Sequence, residues 1–376
     1  MRLKYASFYL YLCAFLLVLA GCQDKTSVDQ KENKGLKDTF AEDFLIGVAI
    51  NEDQIFERDS KAKDLIPAEF NSITPENIMK SVIIHPEWDK YDFEAADKMA
   101  EYCKKNDMFL VGHTLVWHSQ LAPFVQEIKS KDSLELYLEQ HIKTIAKRYD
   151  GKVDGWDVLN EALNEDGTYR NSIFYELMGE EYIVKAFKLA QAATPNAELY
   201  YNDYNIEQPK KRAGAIRIIK LLQENGVRID GVGIQGHWGL KNFPIEEIEK
   251  SILEYHALGV QVMITELDLG VLPNPWDFSG ADVNINFEYD PKMNPYKEGL
   301  PQEVSDEFTD KYTQLFKLFQ KHKDKISRIT FWGVSDANTW LNDWPVRGRT
   351  NYPLLFDRNY EPKPAYHSIK QLKSNP

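Results

Sequence analysis

From about residue 40 onward, short apolar segments alternate with longer amphipathic ones, and this alternation constrains the fold more than any other feature. The short segments are rich in β-branched and aromatic residues, as strands buried on both faces are. Between them apolar residues recur at helical spacing, and Gly226 and Gly259 lie where helices commonly end in a left-handed residue. The eight candidate strands are FLIGVAI from 44, FNSIT from 70, MFLVGHT from 108, VDGWDVL from 153, ELYYN from 198, DGVGIQ from 230, VQVMIT from 260 and RITFWGV from 328.

Strands that alternate with helices pair in parallel through right-handed crossovers. Eight such units predict an α/β fold with a single (β/α)8 TIM barrel over residues 39–376, and an open doubly wound sheet is the alternative. In a barrel, functional side chains lie just after the strands. Polar and aromatic residues do follow the apolar segments, namely Glu76, Asn77, Lys80, His113, Trp117, His118, Gln120, Asn160, Glu161, Asn202, Tyr204, Asn205, Gln235, His237, Glu266, Asp268, Trp332, Asp336 and Trp340.

The first 38 residues read as an export signal and a linker. Residues 1–21 have a basic start and an apolar stretch too short for a comfortable membrane span, which predicts a signal peptide. Leu19-Ala20-Gly21-Cys22 resembles the bacterial lipobox, which implies acylation of Cys22 and a membrane-anchored, exported lipoprotein. Its location is then the outer membrane or the cell surface, and an ordinary secretory signal is the alternative. Residues 22–38 are polar and predict a flexible tether.

Charge and cysteine content exclude several functions. With 58 acidic and 45 basic residues the net charge is −13, which disfavours nucleic acid as a partner. Cys103 is left without an intramolecular partner once Cys13 and Cys22 are assigned to the signal peptide and the lipid, and its helical spacing with Met99 predicts a buried structural thiol.

We expect no metal and no cofactor. His113 and His118 lie close together, but the sequence has no H-E-x-x-H motif. Gly231, Gly233 and Gly236 spell G-x-G-x-x-G, yet HWGL follows instead of a helix start, so the dinucleotide-binding interpretation fails in its context.

Two carboxylates at strand ends, Glu161 and Glu266, are the minimum equipment for glycoside hydrolysis. The alternative for each is a salt-bridged carboxylate on the barrel rim. The neighbouring Trp and Tyr residues suit sugar C–H faces, and Asn, Gln, His and Lys supply contacts to hydroxyls. These neighbouring aromatic and polar residues favour a carbohydrate-active site.

Eight ordered motifs resemble glycoside hydrolase family 10, the retaining endo-β-1,4-xylanases: LIGVAI, TPENIMK, GHTLVWHSQ, WDVLNEAL, YNDYNIE, GVGIQGHWG, MITELD and FWGVSDANTWL, followed by YEPKPAY. The resemblance implies that Glu161 is the acid/base and Glu266 the nucleophile. It also implies that Asn160 contacts the sugar 2-hydroxyl and that His237 hydrogen-bonds the nucleophile and is held by Asp268. Since Gln235 and His237, like Glu266 and Asp268, are two residues apart, each pair projects to one side if its strand is regular.

The same resemblance implies a groove for xylan. Matching positions place Glu76, Asn77, Lys80, Gln120, Trp332 and Trp340 on the glycone side, His113 and Trp117 near the cleavage point, Tyr204 and Asn205 on the aglycone side, and Gln235 among the substrate-binding residues. Trp332 could instead belong to the core, and Lys80 could be a solvated helix residue.

Residues 271–301 depart from the compact pattern, because they run without helical period after the seventh strand. Trp276, Phe287 and Tyr289 in this loop either extend the groove or pack the loop on itself. Two other functions remain open: hydrolysis of a β-glucan on the same barrel, and glycan binding without turnover by a surface lipoprotein. We expect a monomer.

Overall fold

The computed structural model describes residues 34–241, 243–275 and 281–373. The predicted signal peptide, Cys22 and Trp276 lie outside these residues. The chain from Gly35 onward forms one compact unit. In the part of the chain that is described, no helix is both long enough and apolar enough to cross a membrane.

Eight parallel strands close into a barrel, which confirms the (β/α)8 prediction. The strands are β1 Leu45–Ile50, β2 Ser72–Pro75, β3 Phe109–Trp117, β4 Gly155–Asn160, β5 Glu198–Asp203, β6 Gly231–Ile234, β7 His237–Gly239, β8 Gln261–Gly270 and β9 Ile326–Phe331. Strands of the ring pair in the order β1-β2-β3-β4-β5-β6-β8-β9, and pairing of β9 with β1 completes the ring, while the short β7 pairs with β8 alone. The open-sheet alternative is therefore wrong.

Helices surround the barrel and connect its strands. The helices are α1 Leu36–Thr39, α2 Glu52–Ile55, α3 Ala62–Glu69, α4 Ser81–Ile84, α5 Glu94–Asn106, α6 Pro123–Gln126, α7 Lys131–Arg148, α8 Ile173–Met178, α9 Glu181–Ala193, α10 Pro209–Glu224, α11 Ile245–His256, α12 Gln302–Lys321 and α13 Pro364–Gln371, with 3₁₀ helices at Pro291–Met293 and Trp340–Asn342. Gly226 and Gly259 have φ of +65° and +81°, as predicted for residues that follow helices.

Helix α5 shows how the sequence sets these helices. Met99 and Cys103 lie one turn apart on its buried face, and both are nearly inaccessible to solvent. The helix ends at Asn106, and the left-handed backbone of Asp107 (φ +54°) caps it. Burial raises the pKa of the Cys103 thiol to about 12, so this cysteine is a buried structural thiol, as predicted.

The folded domain begins earlier than the predicted boundary at residue 39. Leu36 is fully buried, and its backbone N–H donates to Glu69 Oε2 (2.8 Å). A Cβ on Gly35 would lie 2.0 Å from the carbonyl oxygen of Ala68, so only glycine permits this close approach. Residues 22–38 are polar apart from a few apolar side chains, so the sequence did not reveal that Leu36 is buried. The predicted tether is therefore too long at its C-terminal end.

Candidate active site

A cavity lies where the barrel strands end, and it gathers residues from seven strands or the loops that follow them. Most of the predicted site residues line it. Its lining comprises Glu76, Asn77, Lys80, His113, Trp117, Gln120, Asn160, Glu161, Gln235, His237, Glu266, Ala281, Val283, Trp332 and Trp340.

Glu161 directly follows β4 and is almost completely buried (4% exposed). Its backbone is left-handed (φ +54°), which for a residue with a side chain costs about 1–3 kcal/mol and is typical of functional sites. Its Oε2 accepts from Trp117 Nε1 (2.8 Å) and its Oε1 from Gln235 Nε2 (3.1 Å). Burial raises the pKa of Glu161 to about 7, the negative charges of Asp203 and Glu266 act in the same direction, and the two hydrogen bonds oppose them.

Glu266 lies on β8 and is held at both oxygens. Oε1 accepts from Asn202 Nδ2 (2.7 Å), and Oε2 lies 3.2 Å from His237 Nε2. Burial alone would raise the pKa of this carboxyl group, but the hydrogen bond from His237, positive charge nearby and the Asn202 amide outweigh burial and lower it. The two buried carboxyl groups are therefore driven in opposite directions, Glu161 toward its acid and Glu266 toward its carboxylate.

His237 owes its charge to the carboxylates on either side. Nδ1 lies 3.0 Å from Asp268 Oδ2, which also accepts from Trp340 Nε1 (2.8 Å). Burial opposes protonation of His237, but the charges and hydrogen bonds of Asp268 and Glu266 outweigh it and raise the pKa of the imidazole to about 10. The imidazolium donates to both carboxylates.

The strand that carries Gln235 and His237 is not regular. β6 ends at Ile234, Gly236 has φ of +84°, and β7 begins at His237 as a separate short strand paired with β8. The condition of a regular strand is therefore not met for Gln235 and His237, although both side chains line the cavity. Glu266 and Asp268, by contrast, lie on one continuous strand, and both meet His237.

Asn202 connects the two halves of the site, although the sequence predicts only its position at a strand end and assigns it no role. Its Nδ2 donates to Asn160 Oδ1 (2.9 Å) as well as to Glu266, while Thr265 Oγ1 donates to its Oδ1 (2.6 Å). Asn160 Nδ2 in turn lies 3.3 Å from Glu161 Oε1. This chain of amides fixes both carboxylates; its only signal in the sequence is the position of Asn202 at a strand end.

Lys80 is not a solvated helix residue, because it is 6% exposed and faces the cavity. Its ammonium donates to Asn77 Oδ1 (2.9 Å) and lies 5.0 Å from the centre of the Trp117 ring. Burial lowers the pKa of Lys80, while the charges of Glu76, Glu266 and Glu161 oppose this shift.

His113, one of the two residues predicted near the cleavage point, is held by a buried carboxylate. His113 Nδ1 lies 2.9 Å from Asp157 Oδ2, and both side chains are buried. The His113 ring also lies 5.5 Å from the ring of Trp332, which lines the cavity although it is only 7% exposed.

Among the described residues, no group of three or more His, Cys, Asp and Glu side chains has a metal-binding arrangement.

Tyr204 and Asn205 are not among the described residues that line this cavity. Tyr204 is 4% exposed, its hydroxyl accepts from Arg170 Nη2 (2.8 Å), and the Lys211 ammonium lies 3.4 Å from its ring centre. Asn205 Nδ2 donates to Glu165 Oε2 (2.9 Å). Their aglycone-side role stays a prediction.

Among the described residues of the long loop, neither Phe287 nor Tyr289 lines the cavity. Ala281 and Val283 line the cavity. The Phe287 backbone N–H donates to the carbonyl oxygen of Pro345 (2.8 Å), so this residue packs on another loop, and Tyr289 is half exposed. The sequence could not predict that Ala281 and Val283 line the cavity, because small apolar side chains in a loop without periodicity form no recognisable pattern.

Comparison with known proteins agrees with this geometry. The sequence profile of glycosyl hydrolase family 10 matches residues 35–372. The endo-1,4-beta-xylanase A of Xylanibacter ruminicola is 44% identical over 90% of this chain and 93% of its own length. A GH10 endoxylanase from a sugarcane soil metagenome superposes with a TM-score of 0.87 at 45% identity, covering 90% of this chain and 100% of that one. Xylanase 10B from Thermotoga petrophila RKU-1, solved with xylobiose, superposes with a TM-score of 0.79 at 33% identity. The match covers 91% of this chain and 98% of that one.

Proposed function

The chain belongs to glycosyl hydrolase family 10, and from this premise we propose that it is an endo-β-1,4-xylanase that hydrolyses internal bonds of xylan with retention of anomeric configuration. The observation that carries the mechanism is the pair of buried carboxyl groups with opposite pKa shifts in one cavity. A retaining glycosidase needs one carboxylic acid and one carboxylate on either side of the scissile bond.

In the first step, Glu266 attacks the anomeric carbon while the Glu161 proton moves to the leaving-group oxygen. The C–O bond to the leaving group breaks, and an ester between Glu266 and the sugar forms. Glu161 is suited to the acid role because its pKa of about 7 leaves it largely protonated below neutral pH. Glu266 is suited to attack because His237 and Asn202 favour its ionised form and fix its orientation.

In the second step, Glu161 is the carboxylate left by proton transfer, and it takes a proton from a water molecule. That water attacks the anomeric carbon, the ester to Glu266 breaks, and the sugar leaves with its original configuration. Both carboxyl groups then return to their starting states.

The polar lining supports xylose recognition around this centre. The Asn160 amide lies beside Glu161, which supports its proposed contact with the sugar 2-hydroxyl. On the glycone side, the amide of Asn77 and the ammonium of Lys80 offer hydrogen bonds to hydroxyl groups, and Trp332 and Trp340 offer apolar faces.

The test is a product time course on glucuronoxylan with carboxymethylcellulose alongside. We expect short xylo-oligosaccharides early from the xylan and little product from the cellulose derivative. Glu266→Gln should abolish hydrolysis but keep xylan binding. Equal product from both polymers would favour a β-glucan hydrolase; xylan binding without turnover by the wild type would favour a glycan-binding protein.

We also propose, from the sequence of residues 1–22 alone, that the enzyme is exported and anchored by a lipid on Cys22. Cys22→Ala should move the protein from the detergent phase to the aqueous phase in Triton X-114 partitioning and abolish radiolabelled palmitate incorporation. Unchanged partitioning with unchanged labelling would contradict the anchor. Protease treatment of intact cells then distinguishes surface exposure from a periplasmic orientation.

A further inference from the structure

The loop after β8 meets loops from the far side of the barrel. In the ring of eight strands, β8 is four places from β3 and three places from β4. Residues 281–287 of the β8 loop, here the crossing segment, nevertheless contact Ser119, which follows β3, and Arg170, which follows β4. The loops therefore join across the mouth of the barrel.

An ion pair makes the main connection. Arg170 Nη1 lies 3.0 Å from Asp282 Oδ2, and the two side chains are only 15% and 19% exposed. Ser119 Oγ lies 3.4 Å from Asn284 Oδ1, and Trp344 Nε1 donates to the carbonyl oxygen of Asp282 (3.2 Å). Asp282 is thus linked to the β4 loop by its side chain and to the loop after β9 by its backbone.

Within the crossing segment, the two carboxylate oxygens of Asp282 have different partners, and Oδ2 is the one that faces Arg170. Its other oxygen, Oδ1, accepts from the backbone N–H and the side-chain amide of Asn284, each at 3.0 Å. The Ile285 backbone N–H donates to the Asp282 carbonyl oxygen (3.0 Å), which closes a tight turn. Ala281 and Val283, on either side of Asp282, line the catalytic cavity.

Arg170 is itself fixed beside the acid/base. Its Nε donates to the Glu161 carbonyl oxygen (3.2 Å) and its Nη2 to the Tyr204 hydroxyl (2.8 Å). Under the proposed function, on which this inference rests, Glu161 protonates the leaving-group oxygen. The ion pair therefore borders the leaving-group side of the cleft.

We propose that the Arg170–Asp282 ion pair is a specificity determinant that holds the crossing segment over the leaving-group side of the cleft. A long or decorated xylan chain must displace this segment to bind across the cleavage point, whereas a small leaving group fits beneath it. The enzyme consequently discriminates against long leaving groups relative to small ones, and the ion pair sets the degree of discrimination.

Asp282→Asn tests this inference because it removes the charge and leaves the shape and the Oδ1 acceptor of the turn. The readout is the ratio of kcat/KM on polymeric glucuronoxylan to kcat/KM on an aryl β-xylobioside, whose leaving group is small. A partly buried ion pair shifts a closed-to-open equilibrium by roughly two- to fivefold, so the ratio should rise by about that factor. Asp282→Glu, which keeps the charge, should restore much of the wild-type ratio.

The matched control is Asp290→Asn, which removes a carboxylate of the same loop whose Oδ1 accepts from the Lys292 backbone N–H within its own turn. Its ratio should equal that of the wild type. A second variant, Asn284→Ala, should raise the ratio because it removes the contact with Ser119 and one contact with Asp282. A wild-type ratio in both Asp282→Asn and Asn284→Ala, with melting temperatures unchanged, would overturn the inference alone. A wild type that is inactive on both substrates would overturn the proposed function as well.

Discussion

Asp268→Asn should weaken Glu266 as a nucleophile, although Asp268 acts through His237 and not through the substrate. Asp268 Oδ2 lies 3.0 Å from His237 Nδ1, and after burial its charge has the largest effect on the pKa of His237, which it raises. Without that charge the pKa of the imidazole falls, and Glu266 has a weaker charged donor. Such a hydrogen bond contributes about 1.5–3 kcal/mol, so kcat/KM should fall roughly 10- to 150-fold.

The sign of the pH effect follows from the charge that Glu266 needs. Attack requires the carboxylate, so activity is lost as pH falls through the pKa of Glu266, which His237 keeps low. In Asp268→Asn the acidic limb of the kcat/KM profile should move to higher pH by at least about one unit. An aryl β-xylobioside is the right substrate, because its good leaving group needs little proton donation from Glu161.

The matched control for this experiment is Asp324→Asn, which removes a 66% exposed carboxylate paired with Lys325. Its profile should coincide with that of the wild type. If Asp268→Asn lowers kcat/KM uniformly and leaves the acidic limb where it was, Asp268 serves packing only. The reasoning about His237 would then be wrong.

Three further predictions follow from the same contacts. Glu161→Ala should lose far more activity on xylan than on an aryl β-xylobioside, and added azide should restore turnover of the aryl substrate; equal losses on the two substrates would exclude the acid/base role. The acid form of Glu161 is lost as pH rises through its pKa of about 7, and the charge of Asp203 helps to raise this pKa. Asp203→Asn should therefore move the alkaline limb of the pH–activity profile on xylan to lower pH. An unmoved limb would refute the influence of Asp203. A chain that begins at residue 40 should be less stable in urea than one that begins at residue 35 by about 2–4 kcal/mol, since it lacks buried Leu36 and its bond to Glu69; equal midpoints would contradict this.

The barrel could be predicted because strand burial leaves a local signal. All eight apolar segments form strands of the ring, since parallel strands covered on both faces need continuous apolar side chains. Helix α1 was missed because one buried leucine in a polar segment has no periodicity. β7 was missed because it is three residues long and follows a glycine turn rather than a loop.

The two carboxylates and the contacts of His237 with Glu266 and Asp268 could be predicted, but the amide contacts that connect the two carboxylates could not. A strand end predicts that Glu161 and Glu266 face one site, whereas the Asn202 amide that joins Asn160 to Glu266 depends on distances between three strands. Asp282 and Arg170 are 112 residues apart in the chain, so their ion pair leaves no trace in local sequence. Contacts of this kind arise from tertiary packing alone.

The most direct test of the central claim is to trap the covalent intermediate with a 2-deoxy-2-fluoro-β-xylobioside that carries a good leaving group. Intact-protein mass spectrometry should show one added fluorodisaccharide per chain, and peptide mapping should place it on Glu266. An adduct on another residue, or no adduct with an enzyme that hydrolyses xylan to products of inverted configuration, would contradict the assignment of Glu266 as the nucleophile.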